Sequence, residues 1–200
     1  MLRRIAAAGL VPPRPITLML NGDEETGSHA SRGLIEELSR GAAFVLVPEP
    51  SFEAPGTVIT RRRGISMFKL AATGRSAHAG GSLKDGRSAA NEIARHLLEI
   101  EALNATEPGS SFNVGVIRGG TRSNVVPESA VIEVDMRSDD AATQQRMFAA
   151  ILARQPLTAD VTLEVTGEIN RVPFERSPKV ARFYAATQAL AAAMEIPMDE

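Results

Sequence analysis

The sequence predicts an α/β chain in which a short parallel β-α-β unit precedes an inserted α+β domain of ferredoxin-like order. Two nearly continuous apolar runs, Ile16–Leu20 and Ala43–Val47, flank a helical segment, the pattern of strands covered on both faces. From residue 65 to residue 165 the elements read β-α-β-β-α-β, the order of a split β-α-β fold. The strands of this second region alternate apolar with polar residues, which implies an antiparallel sheet with one covered and one wet face.

In chain order, residues 2–8 read as a helix stopped by Gly9, and Pro12, Pro13 and Pro15 form a connector. After the run 16–20 comes a polar loop, Asn21 to Ser28. Ser28 or Ser31 then caps a helix carrying Leu34, Ile35 and Leu38, and Gly41 ends it. The run 43–47 follows, closed by Pro48-Glu49-Pro50, and a right-handed crossover makes the two strands parallel. The texture changes after Pro55.

Ile65 to Ala72 is a strand, and a glycine-rich loop spans Gly74 to Gly86. Residues 91–103 are helical, with Ala90, Ile93, Leu97 and Ile100 in a stripe. Phe112, Val114 and Val116, and then Ala130, Ile132, Val134 and Met136, alternate as strands do. A helix over 140–154 turns Met147, Phe148, Ile151 and Leu152 inward, and Val161, Leu163 and Val165 form the last strand. After Pro173, Ser177 as N-cap and Pro178 as N1 start a helix. Its apolar side is Val180, Phe183, Tyr184, Leu190 and Met194.

Composition narrows the function classes. The 200 residues hold 22 basic and 24 acidic side chains, 44% hydrophobic residues and no cysteine. A net charge of −2 does not fit a general nucleic-acid binder or a partner of anionic membranes. Without cysteine there are no disulfides, thiolate nucleophiles or sulfur-ligated metals, so a metal would rest on carboxylates and three histidines, His29, His78 and His96. No run reaches the ~18–20 apolar residues of a membrane span. The apolar stretch behind Arg3 and Arg4 is too short for a signal peptide, which points to a cytoplasmic chain.

Acidic residues follow both apolar runs: Asp23-Glu24-Glu25 after the first and Glu49 after the second. Ligands of open parallel sheets bind beyond the carboxyl ends of the strands. Carboxylates gathered there repel unless a cation or protons offset them, so a divalent metal accounts for the cluster. An acidic helix start favoured by the macrodipole accounts for it too.

At these residues the chain resembles a known family. Asn21-Gly22-Asp23-Glu24-Glu25-Thr26-Gly27-Ser28 is similar to the signature of the di-zinc aminoacylase and glutamate-carboxypeptidase family of metallopeptidases, peptidase family M20. Glu49 before Pro50 matches a second ligand position of that family. Gly74-Arg75-Ser76-Ala77-His78-Ala79-Gly80 resembles its lid-domain histidine motif. Gly119-Gly120-Thr121 with Ser123-Asn124-Val125-Val126-Pro127 matches a lid loop, and Asp135-Met136-Arg137 a lid strand.

The resemblance implies part of a zinc-exopeptidase-like catalytic domain with an inserted ferredoxin-like lid and dimerisation domain. It implies the bounds 1–60 for partial catalytic domain, 61–171 for lid and 172–200 for a truncated return helix. It also implies a hydrolase that cleaves an amide bond beside a free carboxylate, in a peptide or an N-acyl amino acid. By position, Glu24 is the general base, and Glu25 and Glu49 are ligands of two different zinc ions, or of another divalent metal. His78 is the oxyanion donor to a partner subunit's site in a homodimer, and Asn124 and Arg137 contact substrate.

Two family elements are not matched. The His-x-Asp motif belongs upstream of the acidic loop, where the 22 residues before Asp23 contain no histidine, and a last histidine ligand belongs beyond Glu200. The chain therefore reads as the central fragment of such an enzyme, inactive on its own. The alternative is a non-catalytic dimerisation or small-molecule-binding module. Away from the motifs, His29 reads as a polar residue at a helix start, His96 as solvated on a charged helix face, and Arg61-Arg62-Arg63 as a hinge or solvated run. Asp85 and Arg87 organise the loop before a helix.

Overall fold

The structure, a computed structural model, describes residues 2–49 and 56–200. The Pro50 turn and the change of texture at Pro55 lie outside the described residues. The chain divides into two compact units, Met1–Pro50 and Ser51–Glu200.

The first unit contains α1 (Leu2–Ala7), a short 3₁₀ turn at Glu24–Thr26, and α2 (Arg32–Arg40). Both helices fall where the sequence places them, and Gly41 follows α2. The two expected strands do not form: among the described residues 16–20 and 43–47 carry no ladder. A strand of a parallel sheet needs hydrogen-bonding neighbours and a cover on both faces. Ile16, Leu18, Leu20, Phe44, Val45, Leu46 and Val47 are all exposed, so these runs have apolar content without the neighbours.

The second unit realises the predicted order. Its elements are β1 (Gly64–Thr73), α3 (Ala89–Thr106), β2 (Ser110–Gly119), β3 (Ser129–Ser138), α4 (Ala141–Leu152), β4 (Thr162–Arg171) and α5 (Pro178–Ala193). The sheet runs β2-β3-β1-β4 and every pairing is antiparallel, as a split β-α-β unit requires. Alternation sends Phe68, Leu70 and Ala72 of β1 and Ala130, Ile132, Val134 and Met136 of β3 under α3 and α4. There they meet Ile93, Ile100, Met147 and Ile151, and the Phe68 and Phe148 rings lie 5.1 Å apart. Ser88 caps α3, Asp140 caps α4 and Ser177 caps α5, each accepting from the backbone N–H three residues on. Leu190 and Met194 of α5, expected on its covered side, are exposed, while Tyr184 and Ala191 are buried.

The covered face of α3 is wider than expected: Ala90, Ile93, Leu97 and Ile100 meet the core as expected, and a neighbouring row is buried with them. The fully buried residues of α3 are Ala89, Glu92, Ile93, His96 and Ile100. His96, read from the sequence as solvated, is 1% exposed. The stripe 89, 92, 93, 96, 100 has helical spacing as good as the all-apolar one, and its polar members meet polar partners. Glu92 Oε1 accepts from the Leu157 N–H at 2.6 Å and lies 3.1 Å from His96 Nε2. Arg154 Nε donates to His96 Nδ1 at 2.9 Å, and its Nη2 pairs with Glu99. Because Nδ1 accepts, Nε2 carries the ring proton and donates to Glu92.

The chain enters and leaves the sheet domain at one place. Arg62 and Phe174 exchange two backbone hydrogen bonds of 2.8 Å, and Thr57 bridges Asp199. Arg63, expected in a solvated run, pairs with Asp139 at 2.8 Å and donates to Ser111 Oγ and the Arg137 carbonyl. It fastens the entry strand across the ends of β2 and β3.

Candidate functional site

The acidic turn is built around Asp23. Its Oδ2 accepts from the Ala30 and Ser31 N–H groups at 2.9 and 3.1 Å, and its Oδ1 from the Ser31 hydroxyl at 2.6 Å. Ser31 is thus the residue before α2 but not its side-chain cap; Asp23, eight residues earlier, binds the free N–H groups there. The Ser31 hydroxyl, against partial burial and helped by both N–H groups and Asn21, holds the Asp23 carboxyl down at about 2. A carboxylate so engaged orders the loop rather than binding a ligand, and nothing in the spacing of the acidic run distinguishes Asp23 from its neighbours.

Glu24 and Glu25 occupy the 3₁₀ turn and are exposed. Three residues per turn separates successive side chains by about 120°, so these neighbours face different directions and are free for separate tasks. Glu49 is exposed, and its N–H turns back to the Val47 carbonyl at 3.0 Å. Glu25 and Glu49 have the oxygen chemistry of a divalent-cation site, but among the described residues no three His, Asp or Glu side chains are grouped to hold a metal.

The sheet domain carries the other residues, and it separates them. β1 ends at Thr73, opposite Ser129 of β3. The loop beyond β1 closes at its base through paired backbone bonds between Arg75 and Arg87 of 2.9 and 2.8 Å. Gly74 is required there, since a Cβ would stand 2.0 Å from the Arg87 carbonyl oxygen. Arg75 Nε donates to the Asp85 carbonyl, and Arg87 donates to the carbonyls of Lys84 and Gly86 and pairs with Asp160. Arg87 organises the loop as expected; Asp85 does so through its backbone oxygen.

The loop tip docks on the segment after β2. Ala79 N–H donates to the Asn124 carbonyl at 3.0 Å, Val126 N–H to the Ala77 carbonyl at 2.9 Å, and His78 bridges Val125. His78 and Asn124 are thereby brought together, both exposed. The His78 ring turns back over its own loop, where Nδ1 accepts from the Gly80 N–H at 3.2 Å.

Arg137 lies at the opposite end of the sheet. It pairs with Ile65, eight residues along β3 from Ser129, or roughly 27 Å at ~3.4 Å per residue. Its guanidinium sits on the open face and forks onto Asp135, with Nε to Oδ1 at 2.6 Å and Nη2 to Oδ2 at 2.9 Å. In one copy of the chain, Arg137 and the His78–Asn124 pair cannot touch the same small molecule.

Residues 60–155 match the profile of the M20 peptidase dimerisation domain. The chain is 32% identical over 122 residues to carboxypeptidase G2 of Pseudomonas sp. (strain RS-16), covering 61% of this chain and 29% of that protein. It is 30% identical over 165 residues to an N-carbamoyl-L-amino-acid amidohydrolase of Rhizobium meliloti, covering 77% and 38%. The aminopeptidase PepT of Bacillus cereus shares the fold, with a TM-score of 0.63 at 20% identity over 74% of this chain and 40% of that one. The chain carries the dimerisation domain of the M20 peptidases. It spans less than half the length of each of these relatives.

Proposed function

We propose that this chain forms part of a metal-dependent hydrolase that cleaves an amide bond beside a free carboxylate, in a peptide or N-acyl amino acid, and that works as a homodimer through residues 61–171. The observation that carries the dimeric reading is the separation of His78 and Asn124 from Arg137 along the sheet. Arg137 lies at the end of the sheet where the chain enters and leaves the domain, and we assign it to a different subunit's site from His78 and Asn124. His78 and Asn124 lie at the far end and serve the partner's site.

When bound, zinc or similar divalent ions would polarise the scissile carbonyl, with Glu25 and Glu49 each supplying an oxygen ligand to a different ion. Further ligands have to come from other segments. Glu24 accepts the proton of the attacking water and delivers it to the leaving nitrogen. His78 donates a hydrogen bond to the oxyanion that develops on the carbonyl oxygen. Arg137 turns its fork from Asp135 to the substrate carboxylate, and Asn124 offers amide hydrogen bonds beside it.

The sheet edges support one mode of pairing. On β2, the Phe112 N–H and carbonyl are bonded to the Asn104 amide, and the Val114 N–H to Glu101 Oε1. Side chains of α3 thus stand in for a neighbouring strand over 112–114. Past the irregularity between Val114 and Val116, residues 116–119 remain, with Ile117 61% exposed. The other edge strand, β4, carries exposed Glu164 and Glu168, and like charges there repel a second copy. Two copies joined antiparallel along 116–119 would bring Ser111, the neighbour of Arg137, level with the partner's Asn124.

Mixed dimers of the complete enzyme test the assignment. One subunit carries Glu24→Gln, which alone should lower turnover by ~10²–10⁴, and the other carries His78→Ala. Action across the interface leaves one site intact and returns about half of the activity. Activity near background in verified mixed dimers would place His78 in its own subunit's site.

A further inference from the structure

We infer that Gly80 is a positioning residue for His78 and holds its imidazole as the Nε2–H tautomer, so that His78 presents a fixed N–H donor. The inference rests on the reading of His78 as the oxyanion donor, but its structural content stands on two observations. The Gly80 N–H points at His78 Nδ1 from 3.2 Å. A backbone N–H only donates, so Nδ1 must accept, and the single proton of a neutral ring sits on Nε2. The second observation is steric: a Cβ on Gly80 would stand 3.2 Å from His78 Cε1. The ring rests on the face that glycine leaves open, and a larger residue would lift it from the amide.

The consequence is chemical. An oxyanion donor must offer an N–H, aimed before the charge develops. An imidazole with both nitrogens in water interconverts between tautomers and turns about two side-chain bonds. Here the backbone occupies Nδ1, and among the described residues Nε2 has no partner. The Ala79 and Val126 hydrogen bonds to the Asn124 segment fix the backbone beneath. The ring is therefore set to donate without rearranging.

The three histidines make the inference measurable in the chain itself. His29 is exposed and serves as the free imidazole. His96 is locked in the core as Nε2–H between Arg154 and Glu92, and reports that the domain is folded. Long-range ¹H–¹⁵N spectra of ¹⁵N-histidine-labelled chain would be recorded at about pH 8.5, well above the ordinary imidazole pKa of about 6.5. The His78 signals are assigned by their loss in His78→Gln. His78 should show the limiting ring-nitrogen shifts of one Nε2–H tautomer, like His96, and not the averaged shifts of His29. Gly80→Pro, which lacks the N–H, should move His78 onto the His29 values while His96 stays put. Gly80→Ala should move it part of the way. Gly81→Ala, whose Cβ would lie at an ordinary 3.8 Å from Nδ1, should not move it.

Averaged shifts or an Nδ1–H tautomer for His78 in the parent chain would overturn the inference, as would unchanged His78 shifts in folded Gly80→Pro. If Gly80→Pro loses the His96 signature and so has not folded, the two alanine variants decide: equal spectra overturn the inference, and a shift in Gly80→Ala alone upholds it. Failure of the oxyanion reading would look different, as full turnover of His78→Ala in the complete enzyme with the tautomer lock intact.

Discussion

Replacing Glu92 by alanine should destabilise the sheet domain more than any exposed charge deletion, through hydrogen bonding rather than lost apolar area. Glu92 is 0% exposed and His96 1%. The substitution strands the buried His96 Nε2–H and the part-buried Leu157 N–H. Each orphaned donor costs about 1–3 kcal/mol, and removing a buried carboxylate relieves part of its own desolvation. The net loss is about 2–5 kcal/mol, against a total of about 5–15 for a domain. In urea, with a slope of about 1–3 kcal/mol per molar, the far-UV circular dichroism midpoint should fall by about 0.7 M or more.

Two companion measurements separate the cause from simple truncation. His96→Ala removes one of the stranded donors, so the double variant should cost about 1 kcal/mol or more less than the sum of the singles. The second is acid. Burial alone would raise the Glu92 carboxyl, but the nearby Thr158 hydroxyl and the hydrogen bonds from Leu157 and His96 outweigh it and hold the group below its ordinary 4.5. A depressed folded value means the contribution is complete above about pH 4.5 and is lost as the pH falls through the folded value. Glu92→Gln should therefore flatten the acid limb of the stability profile relative to the parent. A Glu92→Ala midpoint within about 0.15 M of the parent, less than the ~0.5 kcal/mol scatter of surface changes at that slope, would refute the carboxylate as the hub of this network.

Three further perturbations have definite outcomes. Gly74→Ala places a Cβ 2.0 Å from the Arg87 carbonyl oxygen, so it should cost about 1–3 kcal/mol and raise amide exchange over residues 75–87; protection equal to the parent's would show that the base of the loop is not closed there. The Asp23 turn, with its carboxyl at about 2 against an ordinary 3.8, should be intact above about pH 4 and lose that support on acidification toward about pH 2. Nuclear magnetic resonance of the Ala30 and Ser31 amides reads this directly, and Asp23→Asn should abolish the transition. Ile117→Asp, at a side chain 61% exposed, should leave the fold unchanged and shift sedimentation of the chain from dimer to monomer; an unaltered dimer would move the interface away from residues 116–119.

The sheet domain was legible because its signals are local. Alternation along residues 130–137 sets which side chains face the core whatever the neighbours are, and Ser177-Pro178 announces a helix start from two residues. On α3 the apolar row 90, 93, 97, 100 was legible, but the adjacent row 89, 92, 96 has the same helical period and is buried too. Its burial depends on Arg154 and Leu157, partners more than 50 residues away. The runs 16–20 and 43–47 show the converse, since apolar content states what a strand would bury but does not supply its neighbours. The docking of His78 beside Asn124 joins loops 46 residues apart, a pairing that no spacing rule predicts. The motif resemblance pointed to His78 and Asn124 separately; only the fold shows that they share a ledge.

That ledge and the Arg137 fork stand at opposite ends of one sheet, and the length of the strands makes their separation unavoidable. No rotamer of a histidine or arginine spans roughly 27 Å, and the core of Phe68, Leu70, Ile132 and Met136 fixes the register between the two ends. A single domain therefore cannot hold a small substrate by both groups. A two-fold arrangement along the β2 edge shortens the gap, because an antiparallel partner presents its far end beside the near end of the first copy. Two interstrand spacings of about 4.8 Å then separate β3 from the partner's edge, a distance side chains can cross. The proposed division follows from strand geometry: the end joined to the rest of its own chain carries the group that grips the substrate carboxylate. On that proposal the distal end would carry the donor for a neighbour's reacting carbonyl, and association would complete a site that neither copy contains alone.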